Sequence, residues 1–127
     1  MSLEFKIDII SPDQSIYSNK TEEVILPCFE GQITVLKDHI PLITFLRPGL
    51  IEIGKAEKFY TEDGTVEFSD NNLLILTSTA KSLDSLDRNS IDTIIKNSQE
   101  NINKDKISDK ERYLLSYKID TLREINK

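Results

Sequence analysis

Two hydrophobic periods divide the chain. Up to about residue 80, apolar residues come in short alternating or continuous runs between turn signals, and from Leu83 onward they recur at helical spacing. Leu3, Phe5, Ile7 and Ile9 alternate with Glu4, Lys6 and Asp8, the period of a half-buried strand. Ser11-Pro12-Asp13 then breaks the run. Further strands are predicted at 23–26, stopped by Pro27, and at 32–36 after Gly31, with Ile33 and Val35 on one face. Others are predicted at 42–46, ending at Arg47-Pro48-Gly49, and at 50–53. Gly54-Lys55-Ala56 is a candidate turn into 58–60. Glu62-Asp63-Gly64 reads as a hairpin turn into 65–68, and Asp70-Asn71-Asn72 as another into 73–80. Short strands separated by frequent turn signals indicate an antiparallel sandwich or barrel.

Beyond Leu83, Ile91, Ile94, Ile95 and Ile102 share one helical face, extended backward by Leu86 or Leu83. Residues 101–107 are a polar interruption. Ser108-Asp109-Lys110-Glu111 then has the spacing of a capping box. Leu115, Ile119 and Leu122 follow at helical spacing, flanked by Leu114 and Ile125. Two helices of roughly 16 to 20 residues with a short polar loop predict an antiparallel hairpin. So small a pair cannot bury its apolar stripes on itself. It is expected to pack on the β part or on a partner.

Composition sharpens this division. All four Gly and all four Pro lie in the first 64 residues. Residues 1–81 hold 13 acids and 7 bases, the whole net charge of −6, whereas residues 82–127 hold 9 of each. A β-sandwich over 1–81 and a helical hairpin over 82–127 are therefore expected, with the boundary between Lys81 and Asp87. No apolar run nears the roughly 20 residues needed to span a bilayer. The charged N-terminal run does not read as a signal peptide. A single cysteine makes no internal disulfide, and with one histidine it makes no zinc-finger cluster. Net acidity without a dense basic stretch argues against nucleic acid as a partner.

Candidate chemistry is sparse. His39 is the lone histidine, and a loop histidine making a structural or interface hydrogen bond is a better reading than a general base. Cys28 follows Pro27, is expected to have no nearby Lys, Arg or His to lower its pKa, and reads as an inert thiol. The acid pairs Glu22/Glu23 and Glu62/Asp63 read as solvated turn and edge charges rather than metal or acid–base pairs. The glycines are too widely spaced for a phosphate loop. The isoleucine stripe reads as packing, with a docking face as the alternative. Tyr113 and Tyr117, four apart, read as packing or as interface anchors. Residue chemistry alone gives a non-catalytic interaction module.

Three segments go further. The run from Glu30 to Leu42 (Glu-Gly-Gln-Ile-Thr-Val-Leu-Lys-Asp-His-Ile-Pro-Leu) resembles the signature loop of the epsilon subunits of F-type rotary ATP synthases, delta in mitochondria. Leu46-Arg47-Pro48-Gly49 matches the Leu-x-Pro-Gly that follows in that family. Phe5 to Pro12 resembles its first strand and turn, and Leu74 to Ala80 sits where its last strand ends in Thr-Ala. Thr34 stands in place of a family glycine, and Asp63-Gly64-Thr65-Val66-Glu67-Phe68 lacks the first glycine and the aromatic of a family hairpin. Some members bind ATP through Ile/Leu-Asp-x-x-Arg-Ala at the first helix. Here Leu86 and Asp87 remain but Ser90 replaces the arginine, so no guanidinium is available to grip phosphate.

The resemblance implies an N-terminal sandwich of about ten strands and a C-terminal helical hairpin. It implies a non-catalytic central-stalk subunit that couples the c ring to the gamma shaft, with the hairpin a candidate regulatory element that contacts the alpha/beta head when extended. Glu30, Gly31, Gln32 and His39 are expected at the c-ring interface. No cofactor and no nucleotide binding are expected. The implied location is peripheral, at the cytoplasmic face of a bacterial inner membrane, without insertion. The isoleucine stripe favours a compact hairpin. The competing classes are a free-standing sandwich adaptor and, less well supported, a small hydrolase using His39.

Overall fold

The computed structural model describes residues 3–55, 57–104 and 106–126. Ten strands are followed by two helices. The strands are β1 (Phe5–Ile10), β2 (Ser15–Thr21), β3 (Glu23–Cys28), β4 (Gly31–Leu36) and β5 (Leu42–Leu46). They continue with β6 (Gly49–Ile53), β7 (Glu57–Thr61), β8 (Gly64–Ser69), β9 (Asn72–Leu76) and β10 (Lys81–Ser82). A 3-10 turn, Leu83–Ser85, leads to α1 (Arg88–Ile102) and α2 (Asp109–Ile125).

The sheet runs β10-β7-β6-β3-β5-β8-β9-β1-β2, with β4 attached to β3. It folds over on itself at β3–β5, where Cys28 opposite Leu46 is the only registered pair. All pairs are antiparallel except β1–β9, which is parallel. Alternate residues of both halves meet inside. Phe5, Ile7 and Ile9 of β1 face Val24, Leu26, Ile51 and Phe59 in one core. Phe5 meets Phe68 edge-on at 5.6 Å, an arrangement aromatic pairs prefer.

Several expectations change. β2 has no clean alternation in sequence: Ile16 and Tyr17 are adjacent, and a register shift lies between Ile9 and Ile10 of its partner. Tyr17 nevertheless closes this edge by packing on Phe59 of β7. Glu62-Asp63-Gly64 is not a hairpin turn, because β7 pairs with β6 and β10 while β8 pairs with β5 and β9. It carries the chain from one half of the sandwich to the other. The last long strand stops at Leu76, since Thr77 and Thr79 turn their hydroxyls to that crossing: Thr77 Oγ1 donates to the Asp63 carbonyl at 2.7 Å, and Thr79 Oγ1 accepts from the Glu62 amide at 3.0 Å. Asp70-Asn71 does form a hairpin turn, with φ of 50° and 58°, the doubly left-handed pair of a type I′ turn. Gly54 turns β6 into β7 with φ 58°; Ala56 of that expected turn lies outside the described residues. Strand β10 straddles the expected boundary at residue 81, so the sandwich continues through Ser82.

Both helices start as their caps dictate. Asp87 accepts from the Ser90 amide at 2.7 Å and Ser108 accepts from the Glu111 amide at 3.1 Å. Asn103 ends α1.

The Pro48-Gly49 step has a packing reason. A Cβ at Gly49 would sit 2.5 Å from Pro27 Cβ, too close for two carbons. Gly49→Ala is therefore expected to cost about 1–3 kcal/mol by overpacking, read as a lower urea midpoint at unchanged slope.

Candidate functional site

The helical hairpin lies on the outer face of the β6–β7 half. Phe59 and Ile51 point into the sandwich core, while their neighbours Tyr60 and Leu50 point outward to Ile91 and Leu122. Ile94, Ile95 and Ile125 complete this second cluster, so the isoleucine stripe is packing. Polar contacts frame it. Lys118 Nζ lies 2.6 Å from Glu62 Oε1, and the buried Tyr60 hydroxyl donates to the same oxygen at 3.2 Å. Burial, then the Glu62 charge, holds the Tyr60 phenol protonated far above the usual range. Glu62 is thus an anchor for the hairpin, not the solvated turn acid its sequence neighbourhood suggests. At the other end Asn126 donates to Asp92 at 2.8 Å, and Arg88 reaches the Asn126 carbonyl, a cation at a helix C-terminus.

A second contact ties α2 to the end of the sandwich. Arg47 donates through Nε to the Cys28 carbonyl at 2.9 Å. Its guanidinium carbon sits 3.9 Å over the Tyr117 ring, a cation–π distance. Tyr117 meets Tyr113 edge-on at 4.8 Å, and Tyr113 stacks on Phe29 at 6.3 Å. The tyrosine pair therefore anchors the hairpin to its own sandwich. Arg47 lies close to Cys28 in space though not in sequence. Even so, burial and the Glu30 charge outweigh it, and the thiol is pushed up to about 11, an inert cysteine.

The four residues expected at a ring interface do not form one cluster. Glu30 closes the β3–β4 turn, Gly31 and Gln32 open β4, and His39 follows its far end, a strand length of about 17 Å away. They share an edge, because β4 pairs with β3 alone. Thr44 Oγ1 lies 2.5 and 2.7 Å from the two Glu30 carboxylate oxygens. That bond, with Glu30's own amide second, holds the exposed carboxyl below its ordinary value. His39 Nδ1 is 2.7 Å from the Ile40 carbonyl and its ring abuts Phe68. Beside it Asp38, at φ 64°, exchanges bonds with Asn71 at 2.7 and 2.9 Å. The histidine fixes a loop. Among the described residues no three metal-ligating side chains converge.

The outer face of the other half is open. Ile43 and Phe45 of β5 are 79% and 58% exposed, and Leu76 of β9 is 47% exposed. The cross-strand pairs Phe45–Thr65 and Thr65–Leu76 place two of them in one row. This face leads into a cleft of about 1220 Å³ at the end of the sandwich, whose far side is the N-terminal half of α2.

An inert scaffold with an open apolar face is what a structural subunit presents, and comparison with known proteins decides which. Residues 4–82 match the family described as "ATP synthase, Delta/Epsilon chain, beta-sandwich domain". The "ATP synthase epsilon chain" of Pelagibacter ubique is 42% identical over 130 aligned positions, covering 99% of this chain and all of that one. The chain belongs to the ATP synthase epsilon family. It is a non-catalytic subunit of ATP synthase. The epsilon chain of Afipia carboxidovorans is 39% identical over 87 residues, 66% of this chain and 64% of that one. The fold is shared with a chain of the Euglena gracilis mitochondrial ATP synthase (OSCP/F1/c-ring), at TM-score 0.75 and 15% identity over 97% of this chain and 79% of that one. A chain of the Tetrahymena thermophila central stalk/c-ring structure matches at TM-score 0.66 and 13% identity, covering 96% of each.

The signature loop thus has a structural logic in this epsilon-family chain: it builds the edge strand and ties each of its ends to a neighbouring strand or turn. Thr44→Val is expected to raise the Glu30 pKa toward the ordinary carboxylate value in an NMR titration. Since the folded value lies below the unfolded one, the bond contributes stability above the unfolded pKa and loses it as pH falls through the folded pKa. The variant should flatten that acid limb.

Proposed function

We propose that this subunit joins the ring of c subunits to the gamma shaft, with gamma seated on the open outer face of β5, β8 and β9. The exposure of Ile43, Phe45 and Leu76 carries the reading. Three large apolar side chains on one sheet face, beside an apolar cleft, suit a protein partner better than solvent. The ring contact runs along the free edge of β4. A surface meeting that edge lengthwise touches Glu30, Gly31 and Gln32 at one end and the His39 loop at the other, which reconciles their separation with a single interface. Gln32 and Thr34 along the strand, with Glu30 before it and Lys37 and Asp38 after it, suit the ring's polar loops, and the flanking charges discourage strand pairing with other chains.

A stiff sandwich transmits torque without internal slip. No helix among the described residues is long and apolar enough to cross a membrane, in keeping with a peripheral place at the cytoplasmic face of the bacterial inner membrane. The hairpin is held compact by this chain's own residues, and reaching the alpha/beta head requires it to undock. We also propose that ATP is not a ligand. The Asp87 carboxylate caps α1 through the Ser90 amide, and the Ser90 side chain cannot replace a guanidinium. The alternative, a free-standing adaptor, would need the same face for another partner.

Ile43→Asp and Phe45→Asp place charge on exposed positions and should leave the circular dichroism spectrum unchanged. Each is expected to weaken co-purification with gamma at least about 10-fold. Wild-type recovery of gamma by both variants would show that this face is not its seat, and failure of the wild-type chain to bind gamma at all would favour the adaptor.

A further inference from the structure

Strand β4 runs out into an apolar knuckle. Gln32, Thr34 and Leu36 alternate along its exposed face, so a row that starts polar ends in a leucine 52% exposed. The chain then turns, with the His39 amide donating to the Leu36 carbonyl at 3.1 Å, and Ile40 follows at 75% exposure. Two large apolar side chains thus stand in solvent on either side of one tight turn. The turn is fastened from a distance. At its tip Asp38 takes a left-handed φ of 64°. Its amide donates to Asn71 Oδ1 at 2.7 Å, and Asn71 Nδ2 donates back to its carboxylate at 2.9 Å. Asn71 lies 33 positions later, in the β8–β9 turn at φ 58°, and its carbonyl accepts from the Lys6 amide at 3.0 Å. The clasp ties the β4–β5 loop through that turn to the start of β1.

We propose that Asn71 is a positioning residue for the ring contact: through Asp38 it fixes the β4–β5 loop so that Leu36 and Ile40 project as apolar anchors against the ring. This rests on the reading above, in which β4 faces the ring. Continuity carries it. A surface lying along Gln32 and Thr34 meets Leu36 at the end of the same row and Ile40 just beyond. Exposed apolar side chains gain nothing from water, and grouped ones mark a place of contact. The backbone supports the same conclusion. Two non-glycine residues held at positive φ are costly conformations, kept only where the surroundings enforce them. Here each enforces the other across the fold. His39 braces the turn from behind, with its ring on Phe68 and Nδ1 2.7 Å from the Ile40 carbonyl. A loop already fixed in its binding conformation loses less entropy when it binds. The polar residues therefore set the position, and the apolar pair makes the contact.

The test uses the full chain, purified gamma subunit, and the purified complex of gamma with the c ring. Asn71→Asp sets two carboxylates together, and Asp38→Asn in the same chain restores both bonds with the side-chain donor reversed. Asn71→Gly, which tolerates positive φ and removes both bonds, serves where Asn71→Asp fails to fold. Opening of the loop is read by hydrogen exchange of the His39 amide. The open variants are expected to bind the ring–gamma complex about 10-fold more weakly than wild type, with affinity for gamma alone unchanged and full recovery in the swapped chain. Ile40→Ser, which leaves the clasp intact, should lose affinity for the ring–gamma complex without faster exchange at His39. Wild-type affinity of Asn71→Gly for that complex, or loss without recovery in the swapped chain, would overturn the positioning role and leave the ring reading standing. Wild-type affinity of Ile40→Ser would overturn the apolar anchor. A wild-type chain that binds gamma alone as tightly as the ring–gamma complex overturns the ring reading and the proposal together.

Discussion

A sheet folded on itself buries its two inner faces and leaves two outer ones, and the rest of this structure follows from how those outer faces are covered. In β6 and β7 the alternation serves two cores at once. Ile51 and Phe59 fill the sandwich, and Leu50 and Tyr60 carry the hairpin. Strands apolar on both sides are covered on both sides. In β5, β8 and β9 the inner residues Leu46, Val66 and Ile75 are buried as well, yet Ile43, Phe45 and Leu76 face outward, the last two with the N-terminal half of α2 across an open cleft from them. The chain supplies one cover and leaves the other face open, the face proposed above as the seat of a partner.

The crossing between halves links these roles. Gly64 must be glycine: its φ is 152°, and a Cβ there would meet the Leu76 carbonyl at 2.8 Å. Around it, Thr61, Thr77 and Thr79 direct hydroxyls at Asp63, with Thr61 Oγ1 donating to the Asp63 carbonyl at 2.9 Å. This knot fixes Glu62, one residue earlier, where Lys118 of α2 can reach it. Local turn chemistry thereby sets the position of a distant helix.

Much of this was legible in sequence because it is local. The capping box at Ser108, the Asp70-Asn71 turn and the strict alternation of β1 each follow from neighbours within a few residues. The resemblance in 30–49 located the edge strand and the Pro48-Gly49 step. The non-local parts were not legible. Whether a turn closes a hairpin or crosses between sheet halves depends on pairing far along the chain, so Glu62-Asp63-Gly64 was misread. β2 pairs through backbone and offers no apolar period. The expectation that Cys28 lacked a cationic neighbour failed because Arg47 reaches it only when β3 meets β5. Glu62 looked solvated because its partner lies 56 positions later.

The two cores differ in depth, and that difference bears on motion. Among the described residues, fifteen buried side chains form the sandwich core, whereas three, Tyr60, Ile91 and Leu122, are fully enclosed in the seam beneath the hairpin. Segments held by fewer buried contacts open at lower free energy than the global fold, so the hairpin is the first large element able to leave. The seam compensates with specific contacts: the half-buried Lys118–Glu62 pair, Arg47 over Tyr117, and the Arg88–Asn126 clasp. Such contacts are directional and are lost together when the helices shift. That favours two discrete positions over a continuum, the condition under which a docked helix can act as a switch.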